Sequence, residues 1–343
     1  MAFSVFKLFD NHKVTNPKGM KRENLPYVFT WVIYYAWVVA FTTWWTASPL
    51  AVNVFDSDIR SVIHTVYLLS SAVFIIVSKK EWYVKSARVG AVLTFAGVIV
   101  YLVTPSALIQ IIAAVIIGVS LGCVNISILM HFVFTLNNSE KLYSVVGTNL
   151  LVCLITLLQN TNLLQNSRVL ILAFVILVAA LVAIVFFHKN GVNANADDDT
   201  PETLRSVYLS IFFNCVFTII GKGIGTAILN ITAEKVGSSV ILWYYIGGIL
   251  GCFMFLLFFA FASKPIIILG NTIFAIIAMG LLCNAFIPQA PAMAIPFAVL
   301  LGAGSTAGTI NIYYVVGIIG KKFNSMRYIK WSVLLIGAFG GVA

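Results

Sequence analysis

Residues 118–141 read GVSLGCVNISILMHFVFTLNNSEK, and residues 304–327 read GSTAGTINIYYVVGIIGKKFNSMR. Six of these 24 ungapped positions are identical, whereas ordinary residue frequencies give about two identities by chance. Most of the identities are glycine, asparagine and serine, which unrelated apolar segments rarely share. The spacing of 186 residues therefore indicates two copies of one unit. The identical pairs are Gly118 with Gly304, Gly122 with Gly308, Asn125 with Asn311, Ile126 with Ile312, Asn138 with Asn324, and Ser139 with Ser325.

The composition places the chain in a lipid bilayer. Hydrophobic residues make up 61% of the 343 residues and charged residues only 9%, too few to cover a water-soluble domain. A membrane-spanning helix needs about 20 mostly apolar residues. On this criterion we predict an all-α polytopic membrane protein with eleven spans. The predicted spans are residues 27–48, 60–78, 87–104, 108–134, 143–159, 168–187, 206–229, 238–262, 265–286, 293–319 and 328–343.

The distribution of Lys and Arg predicts the orientation. With the N-terminus in the cytoplasm, 17 of the 21 basic residues lie at the inner side of the membrane and only Arg60, Arg168 and Lys235 at the outer side. The net charge of +10 then follows from topology and does not indicate a nucleic-acid partner. No apolar signal-peptide segment precedes the first span. We therefore expect a multi-pass protein of the plasma (inner) membrane with a cytoplasmic N-terminus.

The longest polar segment between spans, residues 188–205, divides the chain into two halves. It contains Asp197, Asp198 and Asp199 and lacks large apolar residues, as a solvated cytoplasmic linker does. The predicted organisation is a cytoplasmic N-terminal segment at residues 1–26, a six-helix bundle at 27–187, the linker at 188–205, and an incomplete helix bundle at 206–343.

The two copies of the repeat have the same orientation in the membrane. The first copy ends the fourth span and the second ends the tenth, so an even number of spans separates them. We therefore predict two parallel six-helix bundle repeats. Applying the same spacing to the end of the sixth span points beyond Ala343, so we expect the rest of the eleventh span and a twelfth span to be missing.

Two parallel six-span halves joined by a polar linker resemble the major facilitator superfamily over essentially the whole chain. The motif of that superfamily between spans 2 and 3, Gly-x-x-x-Asp-Arg/Lys-x-Gly-Arg/Lys-Arg/Lys, survives only as the basic residues of 78–88, which read SKKEWYVKSAR. Its counterpart between spans 8 and 9 is reduced to residues 263–265. Ala114 stands where the family often has an arginine ahead of Gly118. The resemblance is thus to a divergent member.

The resemblance implies a secondary transporter that moves a small organic solute by alternating access as two bundles rock about a central site. Its partners would be the solute, which can be anionic, the lipid bilayer, and a coupling ion, H+ or Na+. The alternative is a transporter-like membrane sensor or scaffold without transport activity. The eroded motifs and the lack of acidic residues within the spans favour that alternative.

The sequence contains no pattern that predicts an enzyme. The motifs HExxH, GxSxG and GxxxxGK[ST] are absent, and no span holds paired carboxylates. The five cysteines lie in apolar runs without CxxC spacing or neighbouring histidines. We therefore predict neither a metal site nor a cofactor.

Lys222 lies deep within a predicted span, away from the span ends where other basic residues fall. It lies ~24 Å from the cytoplasmic end of the seventh span, at ~1.5 Å per residue. A charge at the centre of a membrane helix costs ~2.5–3.5 kcal/mol, so Lys222 is expected to face a cavity, a partner or the interface. The glycines of residues 221–225 loosen the helix, as in the interrupted helices of transporter sites. Lys222 is thus a candidate for binding an anionic group of the substrate; the alternative is a side chain that snorkels outward.

The repeated pair Asn125 and Asn311 are further candidates for substrate binding. The resemblance places spans 1, 4, 7 and 10 around the central cavity, and the pair lies on spans 4 and 10. Both side chains donate and accept hydrogen bonds, which suits a polar solute. The alternative is helix packing, because each asparagine follows a Gly-x-x-x-Gly pattern, which permits close approach of helices. We expect packing for the glycines and substrate binding for the asparagines.

Aromatic residues are concentrated in the first span. Trp31, Tyr34 and Tyr35 share a helical face and are predicted to bind substrate as an aromatic wall. For Trp44 and Trp45, at the outer end of the span, an aromatic belt at the membrane interface is the stronger expectation.

Two histidines are candidates for ion coupling. His64 lies near the outer end of span 2 and His131 near the inner end of span 4. Histidine titrates near neutral pH and can replace the acidic residues that proton-driven carriers commonly use. The alternative for each is a hydrogen bond to a neighbouring helix.

Overall fold

The computed structural model describes residues 19–44, 53–54, 57–159, 167–189, 191–192, 202–261, 265–324, 326–327 and 329–334. Within these residues the chain forms ten long α-helices and a further helical stretch at residues 326–327 and 329–334, because a backbone in lipid must satisfy its own polar groups. A short antiparallel ladder of β1 (Asn53–Val54) and β2 (Ser57–Asp58) lies between the first two helices in the sequence. The helices are α1 (Leu25–Trp44), α2 (Ile59–Val77), α3 (Tyr83–Val103), α4 (Ala107–Phe134), α5 (Asn138–Gln159), α6 (Ser167–Val185), α7 (Glu202–Val236), α8 (Ser239–Phe261), α9 (Pro265–Ala285) and α10 (Ala294–Phe323).

The helices agree with the first ten predicted spans. α4 begins one residue before its predicted span and ends with it, and α8 is shorter than its predicted span by one residue at each end. In the predicted eleventh span, residues 329–334 are helical, and residues 335–343 lie outside the described part of the chain. Hydropathy therefore located the helices.

α7 departs most from its predicted bounds. It runs from Glu202 to Val236 and includes the last four residues of the predicted linker, because a helix can continue after its apolar run has ended. It stops at Gly237, whose φ of 119° is rare for residues with a side chain and whose N–H donates to the Ala233 carbonyl at 2.9 Å. The helix is continuous through residues 221–225, so the glycines there do not interrupt it.

The length of the helices and the apolar side chains on their surface both indicate a membrane protein. Large apolar side chains are exposed on the helices, such as Leu69 at 63% and Phe261 at 84%, which lipid accommodates and water does not. The protein is an all-α, multi-pass integral membrane protein, as predicted. Among the described residues, five helical segments are long and apolar enough to cross a membrane: Lys80–Val103, Ala107–Phe134, Asn138–Leu158, Ser239–Phe261 and Pro291–Lys322.

The helices form two compact units. The first unit contains α1–α4 and α6, and the second contains α5 and α7–α10. In the first unit α4 packs against α2 and α3, and in the second α10 packs against α8 and α9. α5 packs against α8 and α10, whereas the predicted N-terminal bundle at residues 27–187 includes it. The four-part division made from the sequence therefore stays a prediction.

The repeated glycines permit close helix packing in both units. A Cβ atom on Gly118 would lie 2.8 Å from Cβ of Val66 on α2, and one on Gly122 would overlap Oγ of Ser70. In the second unit, a Cβ atom on Gly304 would lie 2.5 Å from Ile277 on α9. The packing role predicted for these glycines is confirmed. Their partner helices differ, however, so the two copies are not packed identically.

Candidate functional site

In the first unit, two tyrosines of α1 are hydrogen-bonded to α4. The Tyr35 hydroxyl donates to Oδ1 of Asn125 at 2.8 Å, and the Tyr34 hydroxyl donates to the Leu121 carbonyl at 2.9 Å. Tyr34 is completely buried, whereas Tyr35 and Asn125 are half-buried. Tyr35 and Asn125 are thus the residues predicted to bind substrate in this unit that retain an accessible polar surface.

Trp31 is enclosed by other aromatic rings. It is 1% exposed, stacks on Phe132 of α4 with ring centroids 3.9 Å apart, and lies 4.5 Å from the Tyr35 ring. A solute cannot stack on Trp31 unless Phe132 moves. The structure therefore places Trp31 and Tyr34 in the core of the unit, with Tyr35 at its edge. Phe132 was not expected here; it follows Asn125 by two helical turns on α4. The predicted belt residues Trp44 and Trp45 have side chains outside the described part.

In the second unit, Lys222 of α7 reaches towards α10. Its ammonium group donates to Oγ1 of Thr309 at 3.3 Å, and Thr309 uses its own hydrogen to donate to the Ser305 carbonyl at 3.0 Å. The Lys222 side chain is exposed in the absence of lipid. Thr309 was missed from the sequence, although its position one turn after Ser305 makes a stripe of hydroxyl groups on α10.

Further polar side chains surround Lys222. Cys153 of α5 interacts electrostatically with the lysine, and the Tyr244 hydroxyl of α8 lies near the hydroxyls of Ser305 and Thr226. The Tyr244 ring meets that of Tyr245 edge to face, with centroids 5.3 Å apart. Within the described residues the salt bridge is Lys21–Glu23, at an exposed position, so Lys222 has no acidic partner there. An ammonium group bordered by hydroxyls suits an anionic ligand.

Asn311 lies on a different face of α10 from Thr309. Asn311 is two positions after Thr309, and two positions correspond to a rotation of ~200° about the helix axis, since 3.6 residues make one turn. Asn311 is 9% exposed, and its Oδ1 has no hydrogen-bond partner among the described residues. Asn311 therefore does not lie on the face of α10 that Lys222 contacts. Asn125 and Asn311, identical by repeat, have different environments: one is paired with Tyr35 and the other is buried.

The two candidate coupling histidines also differ. His64 on α2 is exposed, with its ring 6.3 Å from that of Tyr67. His131 on α4 is 1% exposed and lies against the rings of Tyr27 and His188, at centroid distances of 4.9 Å and 5.4 Å. His188 follows α6, at a position the sequence assigned to the linker, and only the tertiary fold brings it to His131.

His188 is held by two contacts within the first unit. Its Nε2 atom lies 2.8 Å from Oγ1 of Thr30, and its carbonyl oxygen accepts a hydrogen bond of 2.6 Å from Arg88. Burial, together with the nearby Arg88 guanidinium and opposed by a hydrogen bond with the Pro26 backbone, lowers the pKa of His188 from 6.5 to about 4. His188 is therefore neutral at physiological pH in this conformation.

Comparison with known proteins identifies the fold. No protein-family model matches the sequence, and no curated protein is similar enough to match it. The Escherichia coli fucose:proton symporter FucP aligns with a TM-score of 0.57 and 14% identity, over 94% of this chain and 90% of FucP. A structure of FucP in the outward conformation gives a TM-score of 0.56 with 12% identity, over 94% of this chain and 97% of FucP. The proton:xylose symporter XylE, bound to 6-bromo-6-deoxy-D-glucose, gives a TM-score of 0.52 with 11% identity over 93% of each chain. The chain therefore has the fold of the major facilitator superfamily, as its sequence resemblance implied.

Proposed function

We propose that the protein is a secondary transporter that moves a small organic anion across the membrane by alternating access. The fold supports transport in general, because the neighbours FucP and XylE are described as proton symporters of fucose and xylose. The anionic character of the solute is argued from Lys222.

Lys222 is the observation that carries the proposal. Its ammonium group sits in a membrane helix and is hydrogen-bonded to the neutral hydroxyl of Thr309, with no carboxylate beside it in the described chain. A cation within a membrane helix costs ~2.5–3.5 kcal/mol on insertion scales, and a carboxylate or phosphate of the solute would offset part of that cost. Because its ammonium group is hydrogen-bonded to Thr309 of α10, we infer that Lys222 binds an anionic ligand and does not snorkel outward.

Within the first unit, we propose that Tyr35 and Asn125 bind polar groups of a solute. Both side chains are half-buried, and the Asn125 amide can donate a hydrogen bond while its Oδ1 accepts from Tyr35. Trp31 then supports the Tyr35 ring, which it contacts at 4.5 Å. Asn311, whose buried Oδ1 atom has no hydrogen-bond partner among the described residues, would contribute after a movement of α10.

The excess of basic residues at one side supports a plasma-membrane orientation with the N-terminus in the cytoplasm. This part of the proposal is tested by labelling cysteines introduced at Lys79 and Lys235 from each side of intact cells. Modification of position 79 only after permeabilisation, and of position 235 without it, is the expected result. The opposite pattern would overturn the orientation.

The transport function itself is tested in proteoliposomes. The full chain is reconstituted and offered radiolabelled monocarboxylates, dicarboxylates, sugar phosphates and uncharged sugars, and counterflow of each is measured against empty liposomes. Saturable counterflow of at least one anion, with no counterflow of the uncharged sugars, is expected. A protein that binds an anion in equilibrium dialysis but gives no counterflow of any solute would instead be a transporter-like sensor or scaffold.

A further inference from the structure

We propose that the edge of the first unit formed by α3 and α6 binds one anionic phospholipid. The phosphate group lies at Lys85 and Lys189, and the acyl chains lie along the two helices. This binding does not depend on the proposed transport function, because a lipid can occupy the edge whether or not a solute is moved.

The start of α3 and the end of α6 lie side by side, and Arg88 of α3 joins them. Its guanidinium group donates to the carbonyl oxygens of Phe186 at 3.4 Å and of His188 at 2.6 Å, and its central carbon lies 5.8 Å from the centroid of the Phe186 ring. Lys85 precedes Arg88 by one helical turn, and Lys189 follows His188 directly. Both lysines therefore lie at the same end of the edge.

This end of the edge carries an excess of positive charge. The four lysines there are exposed, Arg88 is half-buried, and Glu81 is the acidic residue among them in the described chain. None of the four lysines forms an ion pair within the described residues, where the salt bridge is Lys21–Glu23. Each lysine near a membrane surface favours anionic lipid about fivefold. The basic residues are Lys79, Lys80, Lys85, Arg88 and Lys189.

An exposed apolar stripe continues from Lys85 along α3. Val89 is 59% exposed and Val103 is 76% exposed, and the side chains of Val92 and Val100 between them are also exposed. At ~100° per residue, these four valines and Lys85 fall within ~80° of one another around the helix. Lys85 is therefore the polar end of a face that lipid covers.

α6 carries a matching stripe that ends at Lys189. Leu172, Ile176 and Ala183 are exposed on one face of the helix, and Phe187 is exposed just after its end. α3 and α6 pack against each other, so the two stripes border one edge. Two apolar stripes with lysines at the same end match the two acyl chains and the phosphate of a phospholipid. An acidic protein segment would match the lysines alone.

The depth of the residues agrees with the thickness of one leaflet. Trp82 is 45% exposed and lies one turn before Lys85, and tryptophan is enriched where the headgroups begin. Half of the hydrocarbon core is ~15 Å thick, which corresponds to ~10 residues of helix. The acyl chains of a lipid anchored at Lys85 therefore contact Val89 and Val92, whereas Val103 belongs to the other leaflet.

The first experiment measures lipid selection by native mass spectrometry. The full chain in detergent is offered equal amounts of phosphatidylglycerol and phosphatidylcholine with identical acyl chains. We expect the wild type to retain one phosphatidylglycerol in preference to phosphatidylcholine. Lys85→Gln and Lys189→Gln should each reduce that preference about fivefold, and the double variant about 25-fold. Replacement of both lysines by Arg keeps the charge and should retain the preference.

Lys322→Gln is the matched control, because Lys322 is an exposed lysine at the end of α10 in the second unit and on the same predicted side of the membrane. It should select lipid like the wild type. The proposal would be overturned by a wild type without preference, by a preference that survives in the double Gln variant or is lost in the double Arg variant, or by an equal loss in Lys322→Gln. Displacement of the lipid by equimolar glycerol phosphate would assign the lysines to a soluble anion instead.

A second experiment locates the bound lipid. Phosphatidylglycerol with a photoreactive diazirine in the middle of one acyl chain is crosslinked to the full chain, and the labelled peptides are identified by mass spectrometry. Labelling should be concentrated around Val89 and Val92 of α3, and the double Gln variant of Lys85 and Lys189 should lose it. Equal labelling of α3 and α10, or labelling of α3 that is the same with the phosphatidylcholine analogue, would contradict a specific anionic-lipid site.

Discussion

The hydroxyl group of Tyr35 on α1 is hydrogen-bonded to the side-chain oxygen of Asn125 on α4, at a distance of 2.8 Å. A bond between two half-buried groups contributes about 1 kcal/mol, so its loss should barely affect folding. We expect Tyr35→Phe to weaken solute binding about fivefold, measured as KM for counterflow, because the orientation of the Asn125 amide is no longer fixed. Tyr34→Phe is the control. It removes the buried bond to the Leu121 carbonyl, so it should lower the melting temperature and leave KM unchanged. An unchanged KM for Tyr35→Phe together with a raised KM for Tyr34→Phe would show that the solute does not bind at Asn125.

Lys222 is predicted to determine preference for anions. Hydrogen bonds to charged groups are worth about 1.5–3 kcal/mol, so Lys222→Ala should raise KM for the anion about tenfold or more. Lys222→Arg keeps the charge and should retain most of the affinity. Lys235, at the end of the same helix and exposed, is the control position, and Lys235→Ala should behave like the wild type. Equal KM values for the wild type and Lys222→Ala would identify Lys222 as a snorkelling residue.

Glycine substitutions should separate packing positions from open ones. Gly122 of α4 is in close contact with α2, where an added Cβ atom would overlap Oγ of Ser70 and lie 2.8 Å from the backbone nitrogen of Ser71. Gly122→Ala should therefore destabilise the protein by about 1–3 kcal/mol through overpacking. Gly270 of α9 has no atom of the described residues within 4 Å of its Cβ position, so Gly270→Ala should stabilise by about 0.5–1 kcal/mol, the normal gain in a helix. Thermal unfolding in detergent measures both, and shifts of the same sign would contradict the packing described.

The repeat predicts residue types better than it predicts their surroundings. Gly118 and Gly304 both lie at helix contacts, because a glycine without a side chain is needed wherever two backbones approach closely. The asparagines of the repeat diverge, because Asn125 accepts a hydrogen bond from a tyrosine of α1 while the buried Oδ1 atom of Asn311 has no hydrogen-bond partner among the described residues. Hydropathy located the helices, since each must present apolar side chains to lipid. Hydropathy could not predict the contacts of Thr309 or His188, because these depend on which helices become neighbours.

Lys141 and its repeat counterpart Arg327 should differ in their effect on stability. Lys141 is fully buried and its ammonium group donates to the Gly317 carbonyl of α10 at 2.5 Å. Lys141→Ala removes this bond and should destabilise by about 1–3 kcal/mol. Arg327 is exposed, so Arg327→Ala should stay within about 0.5 kcal/mol of the wild type. Both are measured by thermal unfolding in detergent; equal effects would show that burial of Lys141 contributes nothing.

The stability of the first unit should depend on pH through His188. Its pKa in this conformation is lowered to about 4, while the exposed or unfolded side chain keeps a pKa near 6.5. Between these values the unfolded chain binds the proton and the folded chain does not, so acidification favours unfolding. The contribution of His188 to the free energy of unfolding is complete above pH 6.5. It is lost as the pH falls towards 4, and the loss is roughly 3 kcal/mol in total. We expect the melting temperature of His188→Gln to decrease less between pH 6.5 and pH 4 than that of the wild type. His64→Gln should retain the wild-type slope, because His64 is exposed. Parallel slopes for the wild type and His188→Gln would show that His188 does not titrate in this interval.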